Sequence, residues 1–356
     1  MARVTLQTVA DRVGVSRTTV SNAYNRPDQL GDELRNQILD AAKDLGYRGP
    51  DAAGRMLRTG HMGAIGLLFT EDLRFVFTDP DTTHFMQGVA ETSALAGTGL
   101  TLLPVPVGVD VAETAVPNMA VDGYLVFSVP SDHPALETVL RREKPVVVVD
   151  EPDLGSRTSF VGIDDRFGAK LAAQHLLGLG HRKIGVLFGR LSLDENSGPT
   201  DRQRVAEASI RVARDRLSGY EDALLEHDLD PEDFVLWEAG GNDPDSGRHA
   251  ATDMLEQHPE LTALLCFSDQ LAIGAAQAGV RVGRELPAGL SIVGFDDIPR
   301  AATWDPPLTT VRQPLVDKGR VAAELLMQQV EDGGTGRIEL PIELVVRSST
   351  APPAVR

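Results

Sequence analysis

Val4-Thr5-Leu6-Gln7-Thr8-Val9-Ala10, followed by Gly14-Val15-Ser16-Arg17-Thr18-Thr19-Val20-Ser21-Asn22, predicts two short helices on either side of a glycine turn. Thr5 is placed to cap the first, whose apolar residues Leu6, Val9, Ala10 and Val13 share one face, and Gly14 stops it. Ser16 caps the second, which buries Val20 and leaves Arg17, Thr18, Ser21 and Asn22 outside. Leu34, Ile38, Ala41, Ala42 and Leu45 recur at helical spacing and close a small three-helix core. Two helices joined through about three residues containing a glycine form a helix-turn-helix, whose second helix fits the major groove of a duplex.

The chain of 356 residues is too long for one ordinary domain, and 42% hydrophobic content is enough to fill further cores. No apolar run approaches the roughly 20 residues of a membrane span, and the first residues lack the apolar core of a secretory signal, so the expectation is a cytoplasmic protein without a membrane partner. The one cysteine, Cys266, lies in an apolar run and is expected to be a buried strand residue. A net charge of −18 is unevenly spread: residues 1–60 hold nine Lys and Arg against seven Asp and Glu, so the remainder carries −20. Cationic charge therefore lies where phosphates would be met, and the acidic remainder repels nucleic acid.

From Gly63 onward, short β-branched runs alternate with helical segments, the mark of parallel α/β sheets. Expected strands are 65–69, 100–105, 124–127, 146–149, 161–163, 184–188, 235–237, 263–267 and 292–295. The series begins again near Val161, which points to two similar lobes with a cleft at the carboxyl ends of their strands. The polar stretch 194–206 reads as a solvated loop. No dinucleotide fingerprint, phosphate loop, zinc motif or nucleophile elbow is present, so neither a cofactor nor catalysis is expected.

Several stretches together resemble the lactose/galactose repressor family of bacterial transcription regulators. The family's opening pattern T-x-x-x-V-A-x-x-x-G-V-S-x-x-T-V-S is matched from Thr5 to Ser21. Further matches are Pro50, Arg55, Leu57 and Gly60, then 164–168, 179–185, 216–220, 268–274, 291–297 and 307–311. The resemblance implies an all-α helix-turn-helix headpiece over 1–49 and a hinge over 50–60. It also implies a two-lobed α/β core like that of periplasmic binding proteins, with one lobe formed by 61–161 and 313–336 and the other by 162–312 and 337–356. Implied partners are operator DNA, a small-molecule effector and a second copy of the chain, as a homodimer or a tetramer. A repressor associated with the nucleoid is the expected role. A cytosolic solute-binding protein and an α/β enzyme are the alternatives.

By the same resemblance Arg17 and Thr18 read bases, whereas Thr5, Ser16, Thr19, Ser21 and Asn25 serve as phosphate contacts or caps. Asn22 stands where the family favours arginine and suits adenine better than guanine. Arg55 belongs to the hinge, and Leu57 matches a wedge that opens a central base step in the minor groove. For the effector, Arg216, Ser268 and Asp296 occupy cleft-lining positions, with Asn242 and Asp165 beside them. An Arg and an Asp facing one cleft suit vicinal hydroxyls. Phe77, Phe85 and Trp304 are aromatic candidates for stacking on a ring, with core packing as the competing role.

Overall fold

The computed structural model describes residues 4–49 and 60–354, apart from residues 107, 193 and 195, and the chain forms two compact units, Met1–Gly63 and Ala64–Arg356. Arg55 and Leu57 lie outside the described residues, as does the side chain of Asn25.

The first unit holds α1 (Leu6–Val13), α2 (Arg17–Asn25) and α3 (Asp32–Asp44). Thr5 and Thr8 cap α1 reciprocally, and Gly14 ends it at a left-handed φ of 76° that costs glycine little. Val9, Ala10, Val20, Ala23, Ile38 and Ala42 form its core, with Tyr24 and Tyr47 meeting edge to face at 6.1 Å.

The second unit contains two sheets. The first consists of β1 (Ala64–Phe69), β2 (Gly99–Pro104), β3 (Gly123–Phe127), β4 (Val146–Val149), β5 (Ser159–Ile163) and β12 (Arg337–Leu340), all parallel in the order β12-β5-β4-β3-β1-β2. The second consists of β6 (Ile184–Phe188), β7 (Gly198–Pro199), β8 (Val235–Glu238), β9 (Ala263–Cys266), β10 (Ser291–Asp296), β11 (Thr309–Arg312) and β13 (Glu343–Val345). Its order is β13-β11-β10-β9-β6-β8-β7, with only the outer strands β13 and β7 antiparallel. Strands buried on both faces require near-continuous apolar runs, and Val146–Val149 and Ala263–Cys266 are fully buried, Cys266 among them.

Helices cover both sheets. On the first lie α4 (Phe75–Thr78), α5 (Pro80–Leu95), α6 (Pro134–Leu140) and α13 (Leu315–Asp332); on the second lie α7 (Asp165–Gly178), α8 (Arg202–Ala206), α9 (Arg211–Glu226), α10 (Pro244–Gln257), α11 (Asp269–Arg281) and α12 (Pro299–Thr303). The α5–α13 pair approaches so closely at Gly88 and Gly319 that a methyl group at either would strike the partner's backbone. Gly219 brings α9 against α7 in the same way.

Pairing moves two of the expected lobe boundaries. Residues 159–163 and 337–340 are neighbours in the first sheet, so the chain changes lobes after Ile163 and after Leu340, not at 161 and 336. Residue pattern alone could not assign an edge strand such as β12 to either sheet, because its burial alternates between exposed and half-buried. The stretch 194–206 is also not a free loop. It contains β7 and α8, fixed by Arg204, which pairs with Asp194 at 2.9 Å and with the buried Glu238 at 2.7 Å.

Candidate functional site

In the first unit Ser16 precedes α2 and its hydroxyl accepts the Thr19 N–H at 3.0 Å, which leaves the first turn facing outward. Arg17 and Thr18 are exposed there, Thr19 is half-buried, and Thr5 and Ser16 are exposed caps. Asn22 is half-buried and donates to Gln29 at 3.3 Å. Ser21 departs from expectation: it is 8% exposed, because it borders the arc of α2 that carries Val20, Ala23 and Tyr24 into the core. A forked guanidinium and a short hydroxyl at an exposed helix start are the groups that reach base edges in a major groove.

The second unit encloses a cavity of about 370 Å³ between its two sheets. Its walls come from carboxyl ends of strands: Phe69 at the end of β1, Phe127 at the end of β3 with Ser128 next, Asp150 and Glu151 after β4, Phe267 and Ser268 after β9, and Asp296 at the end of β10. Ser128, Asp150 and Asp296 hold φ of 47°, 63° and 116°. Such left-handed backbone costs about 1–3 kcal/mol per residue in non-glycine positions and gathers at functional sites.

Five expected effector residues meet there: Arg216, Ser268, Asp296, Asn242 and Asp165. Arg216 is 5% exposed and donates to Asp165 Oδ1 from Nε at 2.9 Å and from Nη2 at 2.8 Å, and to the Phe267 carbonyl. Its guanidinium lies 3.5 Å from the centroid of the Phe295 ring and 4.5 Å from that of Phe267, where the ring faces attract a cation. Ser268 caps α11 by accepting the Leu271 N–H at 3.2 Å, and donates to Asn242 Oδ1 at 2.5 Å. Asp296 accepts the Gln313 amide at 2.6 Å on Oδ1; burial raises its carboxyl to about 6 despite Arg216.

The aromatic expectations fare differently. Phe77 is 68% exposed and does not line the cavity. Phe75, two residues earlier on α4, does; a helix turns about 200° in two residues, so only one of the pair can face inward. Phe85 is fully buried and stacks on Phe127 at 4.2 Å, and Trp304 packs against the core beneath Arg300, away from the cavity.

Sequence reasoning missed a second set of groups. Asp79 caps α5 by accepting the Thr82 N–H at 2.8 Å, and Asp81 follows in its first turn. Glu151, from the first lobe, accepts the Arg211 N–H at 2.5 Å at the start of α9 in the second, and burial pushes its carboxyl up to about 7. Lys318 is 1% exposed, pairs with Asp150 at 2.7 Å and also donates to Gln313, which links it onward to Asp296. Arg190 pairs with Glu71 across the lobes at 3.3 Å. The only readable signals for these groups were Pro80 and Asp79 at a helix start and an isolated Lys318 in an apolar helix face.

A groove-fitting helical module and a polar interlobe cleft in one chain define a ligand-responsive type of DNA-binding protein. The model for bacterial regulatory proteins of the lacI family matches residues 5–49, and that for a periplasmic binding protein-like domain matches residues 173–350. The HTH-type transcriptional regulator Rv3575c of Mycobacterium tuberculosis is 42% identical over 354 residues, covering 99% of this chain and 98% of that protein. Three solved structures are also similar. A lacI-family regulator from Corynebacterium glutamicum has a TM-score of 0.75 at 36% identity and covers 99% of this chain and 100% of its own. The CelR–cellobiose complex has 0.70 at 28%, and the lac repressor dimer bound to operator and the anti-inducer ONPF has 0.78 at 26%; each covers 98% of this chain and 100% of its own.

The chain belongs to the lacI family. It is a DNA-binding transcriptional regulator and not an enzyme, as its family and relatives are.

Proposed function

We propose that this regulator binds a palindromic operator as a homodimer in the cytoplasm, at the nucleoid, and that a small uncharged polyol in the interlobe cleft controls its hold on DNA by repositioning the lobes. Repression relieved by the effector is the favoured sense. Arg17 and Thr18 read bases; Thr5, Ser16, Thr19 and Asn25 fix register; Arg55 contacts DNA from the hinge, and Leu57 acts in the minor groove. Arg216, Ser268, Asp296, Asn242 and Asp165 form the effector site, and Phe75 takes the stacking role expected of Phe77. The lac repressor dimer on its operator and the cellobiose complex of CelR support this reading by likeness.

The observation that carries the ligand class is the balance of groups in the cavity wall. Its cations Arg216 and Arg190 are already paired, whereas oxygens of Asp79, Asp81 and Asp296 have no donor among the described residues. Such a wall accepts hydrogen bonds and repels anions, so hydroxyl-rich neutral molecules fit and phosphorylated ones do not. The test selects bound fragments from genomic DNA with the full chain, then measures affinity at several salt concentrations with and without neutral sugars and their phosphates. One preferred sequence, a steep loss of affinity with salt and a change caused only by a neutral sugar are expected. Sequence-independent binding would overturn the operator reading, and a response only to a phosphorylated compound would overturn the polyol reading. Leu57→Ala is expected to abolish tight operator binding while the headpiece keeps its helices by circular dichroism.

A further inference from the structure

Asp81, in the first turn of α5, and Asp296, at the end of β10, reach into the cavity from opposite lobes. Asp296 is 3% exposed; its Oδ1 is occupied by Gln313, and its Oδ2 has no donor among the described residues. Oδ1 of Asp81 is likewise shut from solvent without a donor. Both carboxyls line the one cavity, each with a buried oxygen that lacks a donor among the described residues, and a bond between them forms only if one of them carries a proton.

Surrounding charge favours that proton. Arg216 on α9 attracts negative charge, but it is already paired with Asp165. Asp79 from the cap of α5, and Asp269 from the first turn of α11, add repulsion at Asp81; Asp297 bears on Asp269, and His84 on Asp79. Lys318 is committed to Asp150 and Gln313. Two bare carboxylates facing each other in a buried site repel strongly, so the pair titrates in two separated steps. Among the described residues no group of three or more His, Cys, Asp or Glu is placed to hold a metal ion.

We propose that Asp81 and Asp296 share one proton across the lobes of the ligand-free protein, and that hydroxyls of a neutral polyol take its place, so that effector binding expels one proton to solvent. The inference rests on the polyol reading of the cleft. Burial, with the neighbouring carboxylates, holds Asp81 well above the ordinary range, and Asp296 is raised in the same direction. Two hydroxyls inserted between the carboxylates donate to both and hold them further apart. In the free protein the shared proton is itself an interlobe bond. Binding therefore competes with protons: effector affinity rises with pH, up to about tenfold per pH unit while the pair holds its proton, and levels once both groups are ionised.

Carbon-13 NMR of the full chain with labelled aspartate, titrated without ligand, tests the pair. Besides Asp269, which burial also holds well above the ordinary range, one carboxyl is expected to stay protonated where ordinary aspartates are ionised, and its signal is expected to vanish in both Asp81→Asn and Asp296→Asn. Persistence in either variant, or titration of every carboxyl in the usual range, overturns the sharing. Calorimetry with ribose, cellobiose, glucose and sorbitol, in two buffers of different ionisation heat, tests the exchange. A binding sugar is expected to release about one proton from the wild type and none from Asp81→Asn. Equal apparent heats in both buffers overturn the exchange. Failure of all four to bind removes the polyol reading and the exchange with it, while the ligand-free titration still decides whether the proton is shared.

Discussion

Ser16 and Ser268 each accept the backbone N–H three residues further on, at 3.0 and 3.2 Å, and each opens a helix of the regulator. After Ser16 comes Arg17, exposed at the helix start; after Ser268 comes Asp269, fully buried and accepting Thr310 Oγ1 at 2.6 Å and the Ile298 N–H at 2.9 Å. One cap chemistry thus serves two opposite ends. In the headpiece a function-bearing surface is made by neighbours in sequence, whereas in the core it is gathered from residues between Phe69 and Leu315. Changes in the first should act locally on DNA, and changes in the second should spread through buried charge.

The sharpest break of that contrast comes from Arg216→Ala, which leaves Asp165 buried without its cation. A loss of about 3–5 kcal/mol in core stability is expected from a broken buried pair, together with loss of the response to ligand. Urea unfolding followed by core tryptophan fluorescence should show a lowered midpoint, and headpiece helicity should not change. A core as stable as wild type would mean that Asp165 finds another partner.

Arg17→Ala should do the reverse. Operator affinity is expected to fall by about 1–3 kcal/mol with relaxed preference at one base pair, and thermal unfolding should stay unchanged. Fluorescence anisotropy on single-base operator variants reads this directly. A uniform loss across all sequences would reassign Arg17 to a phosphate.

Glu151 adds pH to the comparison, because it joins the lobes. Its carboxyl sits at about 7, above its value of 4.5 in an unfolded chain, so its contribution is fully present below that lower value and is lost as pH rises through 7. The loss is expected to reach roughly 3 kcal/mol by pH 8 or above. Glu151→Gln keeps an acceptor for the Arg211 N–H and should flatten this part of the profile. A variant with the wild-type slope would place the titration elsewhere. Phe77→Ala should have the smallest effect, within about 0.5 kcal/mol by thermal unfolding and without change in ligand response, because the ring is exposed outside the cavity.

Much of this was readable before any fold was known. All nine expected strands form, and Thr5, Gly14 and Ser16 bound the first two helices as read, since caps and glycine turns act between residues three or four apart. Arg216, Ser268, Asp296, Asn242 and Asp165 converge on one cavity, as the resemblance implied. Errors fell where distant packing decides. Ser21 was expected outside, although the edge of a buried arc depends on how α3 lies against α2. Phe77 was named where Phe75 lines the cavity, because the phase of a one-turn helix is set only by what it packs on. The strand 337–340 was given to the wrong lobe, because an edge strand pairs where chain crossings allow.

The amino-acid order by itself determined the groove-fitting module, the alternation of strands and helices, and the sign of charge in each part, all of which follow from short-range periodicity, capping and composition. Tertiary structure alone decided that Asp81 meets Asp296, that Glu151 caps a helix of the opposite lobe, and that Lys318 is spent on Asp150. These are encounters between residues scores of positions apart. Their energies depend on burial and on the distance between charges, and neither quantity exists until the chain has folded.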